Sequence, residues 1–254
     1  MNICVIGTCR VCESLDSIGH KSACGLSGQF VHNSSEVIQR INFLKGKQFE
    51  QSIKKYIFRS PISKDINKKL NFSKIDAFVI EISSKKIISY KNYFLQLVKM
   101  SEVVKKASNN KFKSFNHIHS HMKKVGKNSD STKGIPNSLL SLIFESEIKK
   151  QTYEMLESDV AKIIKLINRP ILFVNHINVK NKKDGALLDE RDDLSKSMNK
   201  LSKKLGFKIF NPNKFINDKN RSKILLKAGT DINHYSNYGK KIIARNILDE
   251  IKKI

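Results

Sequence analysis

Tryptophan is absent from this 254-residue chain, cysteine occupies four positions, and arginine is scarce beside lysine. Each shortage removes a class of protein. The cysteines Cys4, Cys9, Cys12 and Cys24 all lie within the first 24 residues. Disulfides drawn from so short a stretch would staple little of a fold, so free thiols are expected. No apolar run approaches the roughly 20 residues that cross a bilayer. The N-terminal apolar run has no basic region before it, so no signal peptide is read there and a cytoplasmic protein is expected. The formal charge of +25 invites a nucleic-acid partner. Such a partner favours arginine, the residue suited to bidentate phosphate and guanine contacts. The excess here is lysine instead, with abundant asparagine, a bias that an AT-rich coding sequence produces without any ligand. Nucleic acid is therefore the lesser candidate, and an anionic small substrate or cofactor fits the charge at least as well.

What is present is a regular alternation of apolar runs. Hydrophobic residues make up 39% of the chain, which excludes a disordered protein. The length suffices for a full core, and one domain over residues 1–254 is the default. Asn2-Ile3-Cys4-Val5-Ile6 stops at Gly7-Thr8-Cys9-Arg10, the pattern of a buried strand turning sharply into a helix that runs to about Ile18. Lys21 to Gly28 reads as extended, and Asn33-Ser34-Ser35-Glu36 opens a capped helix that Gly46 ends. Asp76 to Ser84 is the clearest interior strand, β-branched and aromatic at its centre. Tyr93 to Lys106 predicts a helix, residues 107–137 an irregular basic insertion, and Leu139 to Ile167 one helix or two. Pro170 to Val174 is a second buried strand. A polar loop from Lys180, a helix over Asp192–Leu205, a short strand at Phe207–Phe210 and a last helix after Tyr238-Gly239 complete the chain. Strands alternating with helices give a parallel sheet covered on both sides. Sites in such sheets sit at the carboxyl ends of strands, and Cys9, Ser83 and His176 fall at such ends.

A cysteine attacks an acyl carbon as thiolate, so it needs a base, and the base needs an orienting group. Cys9 at a helix N-terminus is placed to feel the helix dipole, which favours the thiolate. Asp231-x-x-His234 can supply orienting group and base from one turn; taken alone it is also an ordinary capped turn with a surface histidine. Arg10, next to Cys9, could bind an anionic substrate or pair with Glu13 or Glu81. His176 could bind substrate or be a hydrogen-bonded structural histidine, and His32 carries the same alternatives. Cys9-x-x-Cys12 is also a redox spacing, but the βαβ unit that normally precedes one is missing, and it leaves Asp231 and His234 unexplained. His117-x-His119-x-His121 would place three imidazoles on one side of an extended segment. Its lysine-rich surroundings favour a polar loop, and no metal is expected.

The blocks in this order resemble the SGNH/GDSL hydrolase superfamily. Gly7-Thr8-Cys9 stands where the family places Gly-Asp-Ser after the first strand, with cysteine for serine. Gly25-Leu26-Ser27-Gly28 resembles the second block, and the strand from Asp76 to Ile82 the one carrying the third. Asp231 and His234 match the Asp-x-x-His of the last block, with Ser236 and Gly239 following as usual. The third block departs from Gly-x-Asn-Asp. Ser83-Ser84-Lys85-Lys86 stands there, so the oxyanion-hole asparagine is missing, with Ser83, Ser84 or Asn175 as substitutes.

The resemblance implies a three-layer α/β/α fold, SGNH-hydrolase-like or flavodoxin-like, with a mostly parallel sheet. It implies a catalytic triad of Cys9, His234 and Asp231, and an oxyanion hole from Cys9, Gly28 and Ser83. Substrate-binding positions are Arg10, His32, Ser84, Asn175 and His176. The implied activity is that of an esterase or acyltransferase working through a covalent acyl-enzyme on a small acylated substrate or glycan. No cofactor is required, and acyl-CoA is a candidate donor, because one variant branch with cysteine occurs in capsule-polysaccharide biosynthesis and is associated with acyl-CoA-dependent transfer. The alternative is a non-catalytic module on a degenerate SGNH fold that binds a polyanion, either nucleic acid or an anionic glycan.

Overall fold

The computed structural model of the chain describes residues 1–24, 29–59, 69–127, 129–180 and 185–254. In chain order the elements are β1 (Ile3–Ile6), α1 (Cys9–Asp16), α2 (Ser34–Leu44), α3 (Gln51–Ile57), β2 (Ala77–Glu81), β3 (Lys86–Tyr90) and β4 (Tyr93–Phe94). Then come α4 (Leu97–Ala107), α5 (Phe115–Val125), α6 (Asn137–Glu145), β5 (Glu147–Lys150), α7 (Tyr153–Ile167) and β6 (Ile171–Val174). The chain ends with α8 (Asp189–Leu205), β7 (Lys208–Phe210), the single turns α9 (Arg221–Ile224) and α10 (Leu226–Gly229), and α11 (Asn237–Ile251). They form two compact units, Met1–Gln48 with Ile62–Lys85 and Gln151–Ile254, and Phe49–Pro61 with Lys86–Lys150.

The first unit is built on a parallel sheet in the order β1-β2-β6-β7. Val5 lies opposite Val79, and Val79 opposite Leu172, so the strands read as adjacent parallel neighbours, as the sequence predicts. Side chains alternate across a strand, and the two faces separate accordingly. Cys4, Ile6, Phe78, Ile80 and Phe173 pack with Val37 and Ile41 of α2, Val160 and Ile163 of α7, and Leu194 and Met198 of α8. Ile3, Val5, Val79, Leu172 and Val174 pack with Val11 and Leu15 of α1 and Ile243 and Ile247 of α11. Helices therefore cover both faces, and the three layers of the expected α/β/α fold are present.

Local chemistry sets the helix starts. Asn33 Oδ1 accepts from the Glu36 N–H at 2.9 Å, while Asn33 Nδ2 donates to Glu36 Oε1 at 2.7 Å, a reciprocal cap that opens α2 where the sequence predicts. Ser236 Oγ accepts from the Gly239 N–H at 3.0 Å and opens α11. Gly239 has no alternative, because a Cβ there would lie 2.1 Å from the Ile224 carbonyl oxygen.

The second unit holds an antiparallel sheet, β4-β3-β5, with α3, α4, α5 and α6. Here the structure departs from the sequence expectations. The helix predicted from Tyr93 begins at Leu97, because Tyr93 and Phe94 pair with Tyr90 and Ser89 in a hairpin turned through Lys91 at φ 52°. The stretch read as irregular contains α5. Ser114 Oγ caps it by accepting from the His117 N–H at 3.2 Å, and Phe115, Ile118 and Met122 recur at helical spacing on its buried face. The amphipathic run from Leu139 is α6 and α7 with β5 between them, and Thr152 caps α7 through the Met155 N–H at 3.2 Å. Among the described residues, no helix is long and apolar enough to cross a membrane.

Candidate active site

The carboxyl ends of β1, β2 and β6 lie side by side in the first unit, and Cys9, Ser83 and His176 follow them in the chain. Leaving β1, the chain turns through Gly7 and Thr8 into α1. The turn is organised by Glu81, the last residue of β2. Thr8 donates to Glu81 Oε2 through its N–H at 3.1 Å and also through its hydroxyl. Arg10 Nε donates to Glu81 Oε1 at 2.9 Å, an ion pair only 9% and 1% exposed. Burial alone would lower the Arg10 guanidinium, but the charge and hydrogen bond of Glu81 outweigh it and hold it above its ordinary value. Gly7 is required by the same approach, since a Cβ there would stand 2.8 Å from the Cβ of Glu81. Of the two carboxylates suggested as partners of Arg10, Glu81 is the one used. Glu13 pairs with Lys240 at 2.7 Å instead, tying α1 to α11.

Cys9 is the first residue of α1 and is half-buried. The described cysteines are all free thiols. Burial pushes the thiols of Cys4 and Cys12 well above their ordinary value.

The other end of the chain arrives through α9 and α10. Lys227 (φ 50°, ψ 50°) and Ala228 (φ 50°, ψ 38°) are both left-handed, a conformation that costs a residue with a Cβ about 1–2 kcal/mol. Arg221 Nε donates to the Gly229 carbonyl at 2.8 Å and braces this bend. The turn that follows presents Asp231 and His234 side by side. His234 Nδ1 lies 3.0 Å from Asp231 Oδ2 and 3.2 Å from Oδ1. Burial would raise the Asp231 carboxyl, but the Asn233 N–H at 2.8 Å and the His234 ring hold it below its ordinary value. His234 is 49% exposed. Arg10 Nη1 donates to the Asn233 carbonyl at 3.3 Å, so the residue after Cys9 touches the residue before His234.

Five further predicted positions have defined partners. His176, just beyond β6, donates Nδ1–H to the Ile177 carbonyl at 2.7 Å, which fixes its tautomer. Burial, with Arg10 and Arg191 nearby, holds its pKa well below the ordinary value, so the ring is neutral. The His32 carbonyl accepts the N–H groups of Ser83 at 2.7 Å and Ser84 at 2.9 Å, and His32 Nδ1 lies 3.1 Å from Ser83 Oγ. The His32 N–H donates to Glu36, whose carboxyl burial pushes up to about 8. Asn175 Nδ2 donates to Ser195 Oγ on α8 at 3.1 Å. Gly28 lies outside the described residues, with the rest of Gly25–Gly28.

The histidine triplet has a different geometry from the sequence expectation. His117, His119 and His121 lie on helix α5, not on an extended segment. His117 and His121 flank Phe112, while His119 stacks on Phe115 and meets the Ser146 carbonyl at 2.9 Å. Among the described residues, no three His, Cys, Asp or Glu side chains are grouped to hold a metal ion.

Two participants are not foreseen as a pair by sequence reasoning: Arg191, and Asn233 on which it closes. Arg191 lies in the first turn of α8 and donates to the Ile177 and Ile232 carbonyls, each at 3.0 Å, and to Asn233 Oδ1. A usable signal exists in the composition. Seven arginines stand among 48 basic residues, and Arg10, Arg40 and Arg221 are buried. In a chain biased to lysine, arginine marks places where a planar multi-donor fork is needed.

Fold and turns together define a class: a parallel α/β domain with its candidate side chains on the connection after its first strand and on a turn that follows its last. Within that class the chain belongs to the TviD N-terminal domain family, whose model matches residues 1–250. It is 23% identical over 229 residues to the Vi polysaccharide biosynthesis protein TviD of Salmonella typhi, covering 85% of this chain and 27% of that protein. The chain thus spans about a quarter of the length of that relative. Among solved structures it is similar to a GDSL-like lipase from Bacteroides thetaiotaomicron, with TM-score 0.44, 8% identity, and coverage of 99% of this chain and 88% of that one. It is also similar to a catalytic mutant of an acetylxylan esterase from Geobacillus stearothermophilus, with TM-score 0.40, 10% identity, and coverage of 98% and 93%.

Proposed function

We propose that this domain transfers an acyl group to a glycan hydroxyl through a thioester on Cys9. The observation that carries the proposal is the Asp231–His234 hydrogen bond on a turn that Arg10, the neighbour of Cys9, contacts. Arg10 and Asn233 are separated by nearly the whole chain, so no local constraint supplies that contact.

In the proposed cycle Cys9 Sγ attacks the acyl carbon of a thioester or ester donor. His234 takes the thiol proton, and Asp231 holds the imidazole in the tautomer whose Nε2 is the base. The tetrahedral oxyanion is met by the N–H groups of Cys9 and Gly28, with the Ser83 hydroxyl in place of the missing asparagine. Collapse expels the donor's thiol or alcohol, which leaves with the proton from His234. The acceptor hydroxyl then attacks the thioester, giving its proton to His234, and the thiolate of Cys9 departs and is reprotonated. Ser84, His32 and neutral His176 are assigned to substrate binding. Arg10 holds Glu81 and Asn233 and so acts on the turn.

Transfer is preferred over hydrolysis because the relative is a polysaccharide biosynthesis protein, for which a glycan acceptor is at hand, and because a cysteine thioester passes its acyl group readily to an alcohol. Acyl-CoA is the donor class to test first. Incubation with acyl-CoA and an oligosaccharide panel tests the proposal: acyl transfer to the sugar, lost in Cys9→Ala, is expected. Binding of anionic glycan or nucleic acid with no acyl turnover, falling steeply with salt, would favour the polyanion-binding module.

A further inference from the structure

We propose that Arg191 is a positioning residue that holds the Asp231–His234 turn in its working place, jointly with Arg10. This rests on the acyl-transfer proposal for the same site.

Arg191 joins three segments. Its Nη1 donates to the carbonyl of Ile177, beyond β6, and to that of Ile232, inside the turn, each at 3.0 Å. Its Nη2 donates to Asn233 Oδ1. The Ile177 carbonyl also accepts Nδ1–H of His176 at 2.7 Å, so one oxygen links that imidazole to the arginine gripping the His234 turn. Arg10 takes the next carbonyl, that of Asn233, at 3.3 Å. Two guanidiniums from different helices thus hold consecutive peptides immediately before His234.

The turn needs such a hold. Asn233 and His234 are exposed, and the bend leading into it carries left-handed Lys227 and Ala228. Its backbone ties are the Leu226 N–H to the His234 carbonyl at 3.0 Å and the Asp231 N–H to the Leu226 carbonyl at 3.2 Å, both local. Arg191 supplies contacts from α8 that the local backbone lacks. A lysine would not serve, because one flexible ammonium does not present the fixed planar fork that meets three acceptors at once. Burial and the like charge of Arg10 lower the Arg191 pKa to about 10, against the opposing charges of Glu81 and Asp231, so it remains a cation at neutral pH. With three of its five N–H donors held by the protein, two of them on the His234 turn, its action on the reaction runs through the placement of His234. A catalytic group displaced by about 1 Å loses on the order of 100-fold in rate.

The test compares Arg191→Lys, Arg191→Ala and the milder Asn233→Ala, which removes one acceptor from an exposed position. Rates are normalised to titrated Cys9 thiol, and the His234 ring nitrogens are followed by 15N NMR. Arg191→Lys is expected to lower kcat by about 10–100-fold with KM within about two-fold, and to broaden or shift the His234 resonances toward a tautomer mixture. Asn233→Ala should move both in the same direction by less. Added guanidinium should restore part of the kcat of Arg191→Ala, where equal sodium chloride does not. Unchanged kcat and unchanged His234 resonances in both Arg191 variants overturn the proposal. So does a fall in kcat with unchanged resonances, which would place Arg191 on the substrate. Cys9→Ala run in parallel separates the two layers. If it retains turnover, the thioester chemistry falls, while the NMR readout still decides whether Arg191 holds His234.

Discussion

The guanidinium of Arg10 bridges Glu81 and Asn233, donating to a carboxylate oxygen at 2.9 Å and to a peptide carbonyl at 3.3 Å. One side chain thereby connects the turn bearing Cys9, the end of β2 and the turn bearing His234. The pair with Glu81 is buried, so its loss is expected to affect the fold as well as the site. Glu81→Gln leaves a buried cation without its counter-charge and should destabilise by about 3 kcal/mol in urea denaturation. Arg10→Met combined with Glu81→Gln should recover part of that loss. Equal destabilisation by the single and double variants would show that the charge pair is not the cause.

Thiol reactivity separates Cys9 from its neighbours. Burial raises Cys4 and Cys12, whereas Cys9 sits at the N-terminus of α1 within the reach of the helix dipole. Iodoacetamide near pH 7 followed by peptide mapping should label Cys9 at least about ten-fold faster than Cys4 or Cys12. His234→Ala should slow that labelling.

Backbone geometry near the site predicts two opposite stability changes. Gly239→Ala drives a methyl into the Ile224 carbonyl at 2.1 Å and should destabilise by about 2 kcal/mol, through unseating of α11. Ala228→Gly relieves a left-handed residue and should stabilise by about 1 kcal/mol. Thermal melts of both proteins check the signs, and a destabilised Ala228→Gly would contradict the assigned strain.

Two buried groups give the stability a pH dependence of defined sign. Burial raises Glu36 to about 8, so the folded protein keeps a proton that the unfolded chain releases above its ordinary value of 4.5. Stability is therefore lost as pH rises from about 4.5 to about 8, and Glu36→Gln should flatten that slope. His176 is held well below 6.5, so the unfolded chain takes up a proton first as pH falls. Stability is lost below about 6.5 on its account, and His176→Gln should remove that part. Denaturation midpoints measured from pH 4 to 9 on the variants and the parent protein separate the two.

The sheet is legible in the sequence because its strands are short runs of buried apolar residues bounded by turn signals, as at Ile3–Ile6 and Ile171–Val174. The capped start of α2 is legible for an equally local reason, the reciprocal Asn33–Glu36 bonds. Asp231 and His234 are visible because three-residue spacing puts them on one turn. Arg191 is not visible in this way, because its acceptors lie 14, 41 and 42 residues away and no periodicity reports them. Likewise, the choice of Glu81 over Glu13 for Arg10 follows from the close approach at Gly7, which only the packing of β1 on β2 reveals. Helix α5 escapes notice because lysines and histidines obscure an apolar face of Phe115, Ile118 and Met122.

Intact-mass spectrometry of the purified protein after brief incubation with acyl-CoA tests the central claim most directly. One acyl group should add, localise to Cys9 by peptide mapping, and discharge when the oligosaccharide acceptor is supplied. Cys9→Ala should show no adduct, and His234→Ala should form it far more slowly. An adduct at another residue, or full transfer activity in Cys9→Ala, would contradict the thioester mechanism.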